Sequence, residues 1–404
     1  MKRRHLFISA TIVCLALVFC FIPVASAERG VSETVIKVGN IADRSGPISN
    51  TALPVLAGVE TYLRLTNSKG GVHGRKFDII PADGQYKVEK VLFEYKRFVQ
   101  REKIFMFFGP GNTGGGMALA PLIERDKVPE IVMMPSNQII YPPRKYCFAV
   151  AAPRVYGTKI LFDYIVHNLK MKDAKIGIIY PNIEYGKFFL RSTEERCKFY
   201  GIKLAAKLIQ NLRDVNVVSQ VLKLKSMGVE IVYVPTIEKC ASIFLKDAAS
   251  YGYEPLVMGT DGVTNEELLH LAGNKAAKNY FGFTTYASYY EDIPGSKLLV
   301  TLAEKYPLAK KYYDNKYFVC GVAQGMVAVE AFKRAGRNLT VEGFIKAMES
   351  LKDFDMQGIT PPVTFGPKKR YACEGTRLYK VDSKHEGKFK AIPGIFYPRE
   401  KPFD

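Results

Sequence analysis

Residues 104–117 read Ile-Phe-Met-Phe-Phe-Gly-Pro-Gly-Asn-Thr-Gly-Gly-Gly-Met, and the character of the chain changes at Gly109. The five apolar residues before it predict a strand that is buried on both faces, as in the parallel sheets of α/β proteins. The glycines lead into residues 117–125, whose apolar positions predict a helix. Such a junction gathers free backbone N–H groups and the positive end of a helix dipole, so it suits an anion such as a carboxylate or phosphate.

The same alternation of strand and helix extends over most of the chain. Around the first stretch, strands are predicted at 35–39, 77–81 and 131–134, with helices at 54–67 and 88–100. After Pro153 the alternation begins again, with strands predicted at 175–180, 202–207, 230–234, 256–258 and 280–286. We therefore expect an α/β protein with two units, each a parallel sheet with helices on both faces.

The N-terminus has the pattern of a secretory signal peptide. Cations at positions 2–4 precede an apolar run at 6–22, and small residues at 25–27 fit a signal peptidase site. We predict that residues 1–27 are removed by cleavage near Ala27 and that the remaining chain is periplasmic. An uncleaved membrane anchor is one alternative, and lipidation of Cys20 is another, although the bulky residue before that cysteine fits a lipoprotein signal poorly.

The chain is strongly basic, with 58 Lys and Arg against 39 Asp and Glu. The cations are scattered through amphipathic segments, without a long basic block or a nucleic-acid-binding module. We therefore expect a solvated basic surface that attracts anionic ligands, and no nucleic acid partner. Beyond residue 27 an odd number of cysteines remains, Cys147, Cys197, Cys240, Cys320 and Cys373, so at least one thiol is free and no pairing follows from the sequence.

Residues 109–114 satisfy the GxGxxG pattern of dinucleotide-binding enzymes. That fold also needs an acidic residue at the end of the next strand, where this chain has Pro135-Ser136. The sequence has no phosphate-loop lysine after the glycines, no GxSxG motif and no paired histidines at zinc-binding spacing. We expect no catalytic residues, metal or cofactor, and we interpret the acidic pairs at 194–195 and 266–267 as solvated helix faces.

Polar residues follow the predicted strands in both units, at the sheet edge where α/β proteins bind ligands. They are Asn112, Thr113, Ser136 and Asn137 in the first unit and Tyr185, Thr236 and Asp261 in the second. Taken singly, Thr113, Ser136 and Asp261 are typical caps of helices or turns. Together they supply hydroxyls, a carboxylate and an aromatic wall, which is the equipment for a small zwitterion.

The chain resembles the type I periplasmic solute-binding proteins of ABC transporters, in the leucine/isoleucine/valine-binding branch. The resemblance rests on Ser-Gly-Pro at 45–47, the Asn-x-x-Gly-Gly-x-x-Gly phrase at 67–74, the Gly109 loop, Glu-Tyr-Gly at 184–186 and Met-Gly-Thr-Asp-Gly at 258–262. It implies two lobes, joined by three crossovers, that close around a ligand. The implied boundaries are 28–153 and 284–359 for the first lobe, 154–283 for the second, and 360–404 for strands that close on the second lobe or the hinge.

The resemblance also implies roles for the site residues. Thr113 matches the hydroxyl that binds a ligand's α-carboxylate, and Ser136 and Asn137 match the loop that adds further donors. Asp261 matches the acidic residue that binds the α-ammonium, and Tyr185 matches an aromatic that covers the ligand. The departures are Thr51 and Thr236 in place of aromatics, and Arg44 at a usually apolar position, which together leave room for a polar amino acid, an aromatic acid or another carboxylate.

The expected function is capture of a small carboxylate-bearing solute, an amino acid or related acid, and its delivery to the membrane permease of an ABC importer. The protein is expected to be a monomer and not an enzyme. Two alternatives stay open: a ligand sensor for a membrane receptor or kinase, and an exported dinucleotide-dependent enzyme.

Overall fold

Strands and helices alternate along the chain, and the strands form two sheets. The computed structural model describes residues 28–133 and 136–400, so the predicted signal peptide lies outside the described residues. The first sheet is parallel, with strand order β2-β1-β3-β4-β5. Its strands are β1 (Val35–Ala42), β2 (Lys76–Asp83), β3 (Met106–Gly109), β4 (Glu130–Val132) and β5 (Cys147–Phe148).

The second sheet has the order β12-β11-β10-β9-β8-β6-β7. It is parallel from β7 to β10, and its last two strands pair antiparallel as a C-terminal hairpin on the β10 edge. Its strands are β6 (Ile176–Tyr180), β7 (Leu204–Ile209), β8 (Ile231–Val234), β9 (Leu256–Gly259), β10 (Tyr280–Thr284), β11 (Thr376–Val381) and β12 (Phe389–Phe396).

Each sheet is covered by helices, and each sheet with its helices is one lobe. The helices of the first lobe are α1 (Ser49–Ser68), α2 (Val88–Arg97), α3 (Thr113–Asp126), α4 (Asn137–Ile140), α10 (Pro294–Lys305), α11 (Pro307–Lys310), α12 (Lys316–Ala335) and α13 (Val341–Glu349). Those of the second lobe are α5 (Arg154–Asp163), α6 (Glu184–Tyr200), α7 (Val218–Ser226), α8 (Glu238–Ser250) and α9 (Glu266–Ala272). The chain passes between the lobes after β5, after β10 and before β11, which confirms the predicted two-lobed α/β fold. The precise lobe boundaries stay predictions.

The late helix α12 completes the core of the first lobe by packing against α1. Gly58 and Gly321 face each other at this contact: a Cβ on Gly58 would clash with the carbonyl of Phe318, and one on Gly321 with the carbonyl of Val55. The two helices can approach this closely because both positions lack a side chain. The approach fixes α12, and with it Tyr317, beside the interlobe space.

Three local predictions were wrong. The helix after the glycine-rich loop begins at Thr113 rather than at Met117; a Cβ on Gly116 would clash with Ile139, so close packing against α4 outweighs the poor helix propensity of glycine. The helix predicted to begin at Pro54 begins at Ser49 and carries the proline inside it. Glu266, predicted to be solvated, is 3% exposed because Lys316 pairs with it from the other lobe.

Candidate functional site

The strand order in each sheet reverses at one place, between β1 and β3 in the first sheet and between β6 and β8 in the second. Loops that leave neighbouring strands at such a point diverge to opposite faces and open a crevice beyond the carboxyl ends. A cavity of about 470 Å³, including its open mouth, lies where the two crevices meet. Its lining residues are Ile48, Thr51, Tyr86, Gly111, Thr113, Arg154, Pro181, Ile183, Tyr185, Leu212, Thr236, Ile237, Gly262 and Tyr317.

The glycine-rich loop brings Thr113 to the first-lobe wall. Gly109 has φ 137°, and a Cβ there would clash with the carbonyl of Ile41, so this turn requires glycine. Asn112 caps α3 by accepting a hydrogen bond from the backbone N–H of Gly115. The predicted site residue Asn112 therefore has a structural partner. The helix cap that was expected at Thr113 is formed by Asn112 instead. The Thr113 side chain lines the cavity.

Tyr86 lines the same wall, and sequence reasoning missed it. Gln85 and Tyr86 both have positive φ, 48° and 56°, which turns the chain sharply after β2. Asp83 holds this turn by accepting hydrogen bonds from the backbone N–H groups of Arg44 at 2.9 Å and Gln85 at 3.1 Å. Burial raises the pKa of Tyr86 to about 12, so its hydroxyl is a neutral donor at neutral pH. No feature of the sequence distinguishes this tyrosine from others.

The second-lobe wall is built around Tyr185. Its hydroxyl lies 2.9 Å from Oγ1 of Thr260 and donates to the backbone carbonyl of Thr236 at 3.3 Å, which fixes the ring against the cavity. Oγ1 of Thr236 and the hydroxyl of Tyr317 are buried in this region, and neither has a hydrogen-bond partner among the described residues. Because a buried polar group without a partner is costly, both are natural sites for polar atoms of a ligand.

Asp261 is paired with Arg154, which sequence reasoning did not select. Nε of Arg154 lies 3.1 Å from Oδ1 and 3.0 Å from Oδ2 of Asp261, and the side chains are 5% and 14% exposed. The guanidinium also lies over the ring of Tyr185, 4.8 Å from its centroid. The neighbouring carboxylate of Asp261 helps to hold the pKa of Arg154 above its ordinary value despite the opposing effect of burial. The sequence feature that could have indicated Arg154 is its position as a lone arginine after Ala151-Ala152-Pro153, at the start of a crossover.

The structure brings together Thr113, Tyr185 and Thr236 on the cavity wall, and it places the other predicted residues behind or beside it. Ser136 is buried, and its hydroxyl has no partner among the described residues. Oδ1 of Asn137 accepts a hydrogen bond from the backbone N–H of Val155 at 3.5 Å. Arg44 is half-buried outside the lining, and burial lowers its pKa. Their roles in binding stay predictions.

The five cysteines of the described residues are all buried with free thiols. Within residues 28–133 and 136–400, no group of histidine, cysteine, aspartate and glutamate side chains is arranged to hold a metal ion. None of the helices in this part of the chain combines the length and apolarity needed to cross a bilayer.

The relatives that match this chain by sequence have low identity to it. Leu/Ile/Val-binding protein homolog 7 of Brucella abortus (strain 2308) is 25% identical over 252 residues, which cover 59% of this chain and 62% of the relative, so the match spans less than two thirds of that protein. Homolog 1 of the same strain is 22% identical over 355 residues, covering 86% of this chain and 91% of the relative.

Solved structures share the fold over most of the chain. A branched chain amino acid ABC transporter protein from Thermus thermophilus, solved with bound valine, has a TM-score of 0.84 at 22% identity, covering 91% of this chain and 97% of that one. A fatty acid ABC transporter substrate-binding protein from Thermomonospora curvata has a TM-score of 0.81 at 23% identity, covering 92% and 95%. Residues 35–386 match the sequence profile of the periplasmic binding proteins. The chain therefore belongs to the periplasmic binding protein family, whose members bind solutes outside the cytoplasm.

Proposed function

We propose that this protein captures a small carboxylate-bearing solute, an amino acid or a related organic acid, between its lobes and delivers it to the permease of an ABC importer. The observation that carries the proposal is the cavity at the switch points of both sheets, into which polar side chains project from each lobe. A ligand there contacts both lobes at once, so it favours the closed arrangement over an open one. A permease that recognises closed lobes thereby recognises the loaded protein.

The contacts between the lobes support closure as the working motion. The hydroxyl of Thr51 in the first lobe donates to Oε2 of Glu238 in the second at 3.3 Å. Thr51 lines the cavity. Glu238 is the first residue of helix α8 and directly follows the lining residue Ile237 in the sequence. A solute in the cavity therefore lies beside an interlobe hydrogen bond that forms only when the lobes meet.

The test is a thermal-shift screen of ligand-free chain, beginning at Glu28, against amino acids, aromatic acids and dicarboxylates. A ligand present at 100 times its dissociation constant stabilises the folded state by about 2.7 kcal/mol, which is readily measured. Thr236→Val should weaken any response, whereas Thr301→Val, an exposed helix position, should not. A screen without any stabilising solute, or responses equal in both variants, contradicts the proposal.

We further propose that the chain reaches the periplasm by cleavage near Ala27. Mass spectrometry of the protein released from the periplasm should give a mature chain that begins near Glu28. A protein that stays in the membrane fraction with its first 27 residues attached contradicts cleavage without affecting the proposal for the cavity.

A further inference from the structure

Arg154 supplies the charge of the cavity wall. Among the described residues that line the cavity it alone has a charged side chain, and it is 4% exposed. A guanidinium has five N–H donors. The ion pair with Asp261 uses Nε, and no described residue accepts a hydrogen bond from either terminal nitrogen of Arg154. The remaining donors form a planar fork, which matches the two oxygens of a carboxylate.

The two acidic side chains beside the cavity already have hydrogen-bonding partners. Asp261 does not line the cavity, and its two oxygens are already shared with Arg154. Glu238 lies behind the wall, where its oxygens accept hydrogen bonds from Thr51 at 3.3 Å and from Nδ2 of Asn265 at 2.7 Å. A buried ammonium needs an acidic partner of its own, so an amino acid would have to compete with a formed ion pair.

The rest of the lining suits an apolar body. Ile48, Ile183, Leu212 and Ile237 line the cavity together with the ring of Tyr185. Burial of aliphatic or aromatic carbon against these side chains contributes roughly 25 cal/mol for each Å² removed from water. The hydroxyls of Thr113, Thr236 and Tyr317 add neutral hydrogen-bonding groups but no charge.

We propose that the ligand is an organic carboxylate with an apolar aliphatic or aromatic body and no free α-ammonium, and that the terminal nitrogens of Arg154 bind its carboxylate. The inference rests on the proposed function and narrows its ligand class. It gives Arg154 the anion-binding role and leaves Asp261 as the residue that orients and neutralises this arginine.

Matched ligand pairs test the ligand class. Isothermal titration calorimetry at neutral pH compares 4-methylpentanoate with leucine and 3-phenylpropanoate with phenylalanine, since the members of each pair differ only in the ammonium group. Each acid should bind at least about 30-fold more tightly than its amino acid, as expected for a buried, partly unpaired charge. Tighter binding of either amino acid overturns the inference and leaves the proposed function intact. Failure of both acids to bind also overturns it, and the broader screen then decides the proposed function separately.

Variants test the residue. Arg154→Gln should weaken binding of the acids at least about 30-fold, while Arg64→Gln, which removes an equal charge from the exposed pair with Glu60, should not change it. Asp261→Asn should keep acid binding, whereas it would abolish binding that depends on an ammonium site.

Arg154→Gln leaves the largely enclosed carboxylate of Asp261 without its partner, so the double variant R154Q/D261N is the control against misfolding. It should unfold cooperatively and still bind the acids at least about 30-fold more weakly than the wild type. Unchanged acid affinity in the double variant overturns the assignment of Arg154.

Discussion

Lys316 of the first lobe places Nζ 2.6 Å from Oε1 of Glu266 in the second lobe, and the two side chains are only 2% and 4% exposed. The same carboxylate oxygen accepts hydrogen bonds from the hydroxyls of Ser288 at 2.9 Å and Tyr290 at 3.0 Å. Lys316 also lies over the ring of Tyr379, 4.4 Å from its centroid. This buried ionic contact ties the two lobes together, and Ser288 and Tyr290 of the crossover after β10 bind to it.

Breaking this pair on one side should cost more than removing it entirely. Lys316→Met leaves a buried carboxylate unpaired and should lower the free energy of unfolding by about 3–5 kcal/mol, whereas K316M/E266L should recover most of that loss. Urea unfolding measures both, with Arg64→Gln, at an exposed pair, expected within about 0.5 kcal/mol of the wild type. A double variant as unstable as the single one would show that the ion pair itself stabilises the fold.

Glu238 should make stability depend on pH between about 5 and 7. Burial raises its pKa from 4.5 to about 7. Over this range the folded chain keeps a proton that the unfolded chain has released, so the contribution of Glu238 to the free energy of unfolding falls as pH rises, by up to about 1.4 kcal/mol per pH unit. Below pH 4.5 both states hold the proton and this contribution is constant.

Burial also raises the pKa of Glu130, to about 8, which makes stability fall with rising pH in the same way. The contribution of Glu238 is therefore measured as the difference between the wild type and a Glu238 variant. Urea unfolding at several pH values should show a shallower decline in Glu238→Gln than in the wild type. Glu33→Gln, at a side chain that is 87% exposed, should decline like the wild type. Parallel curves for wild type and Glu238→Gln would refute the assignment.

Tyr317→Phe should separate stability from affinity. The hydroxyl of Tyr317 is buried, and no described residue lies at normal hydrogen-bonding distance and angle from it. Its removal should leave the free energy of unfolding unchanged or raise it by about 1 kcal/mol, because an unpaired buried hydroxyl is costly. Affinity for a cavity ligand should fall if the ligand supplies the missing partner.

The matched control for Tyr317 is Tyr253→Phe. The hydroxyl of Tyr253 donates to the backbone carbonyl of Val229 at 2.8 Å, and neither residue lines the cavity. This variant should lose about 1 kcal/mol of stability with no change in affinity. If Tyr317→Phe behaves in the same way, its hydroxyl has a structural role and no ligand contact.

The thiols should be inert in the folded chain. Burial raises the pKa of each of the five described cysteines, for example that of Cys373 to about 12, so the reactive thiolate is scarce at neutral pH. Ellman's reagent should find no thiol in the folded chain that begins at Glu28, and five after denaturation. Fewer than five in denatured, unreduced protein would reveal a disulfide.

The periodicity of the sequence was sufficient to predict the two sheets, and also the strand ends that are followed by Thr113, Tyr185 and Thr236. Parallel strands buried on both faces give near-continuous apolar runs, and their carboxyl ends share one edge, so local patterns carry this information. The start of helix α3 was harder to predict from the sequence. Gly114, Gly115 and Gly116 lie in this helix because of tertiary packing, which local propensity does not record.

Contacts distant in sequence explain what sequence reasoning missed. Arg154 and Asp261 are 107 residues apart, and Lys316 and Glu266 are 50 apart, so neither partner is marked by its neighbours in the chain. The ammonium-binding role of Asp261 was implied by the family resemblance, and its pairing with Arg154 was not foreseen from the sequence. Tyr86 reaches the cavity through a backbone turn with positive φ at two non-glycine residues, which local propensity does not predict.

The most direct test of carboxylate binding by Arg154 is a crystal structure of the chain with the tightest-binding acid from the matched series. We expect ligand density between the two sheets, with the carboxylate within hydrogen-bonding distance of the terminal nitrogens of Arg154 and the apolar body against Ile183 and Ile237. Density for the bound acid outside this cavity, or inside it with the carboxylate turned away from Arg154, would show that Arg154 does not bind the ligand's carboxylate.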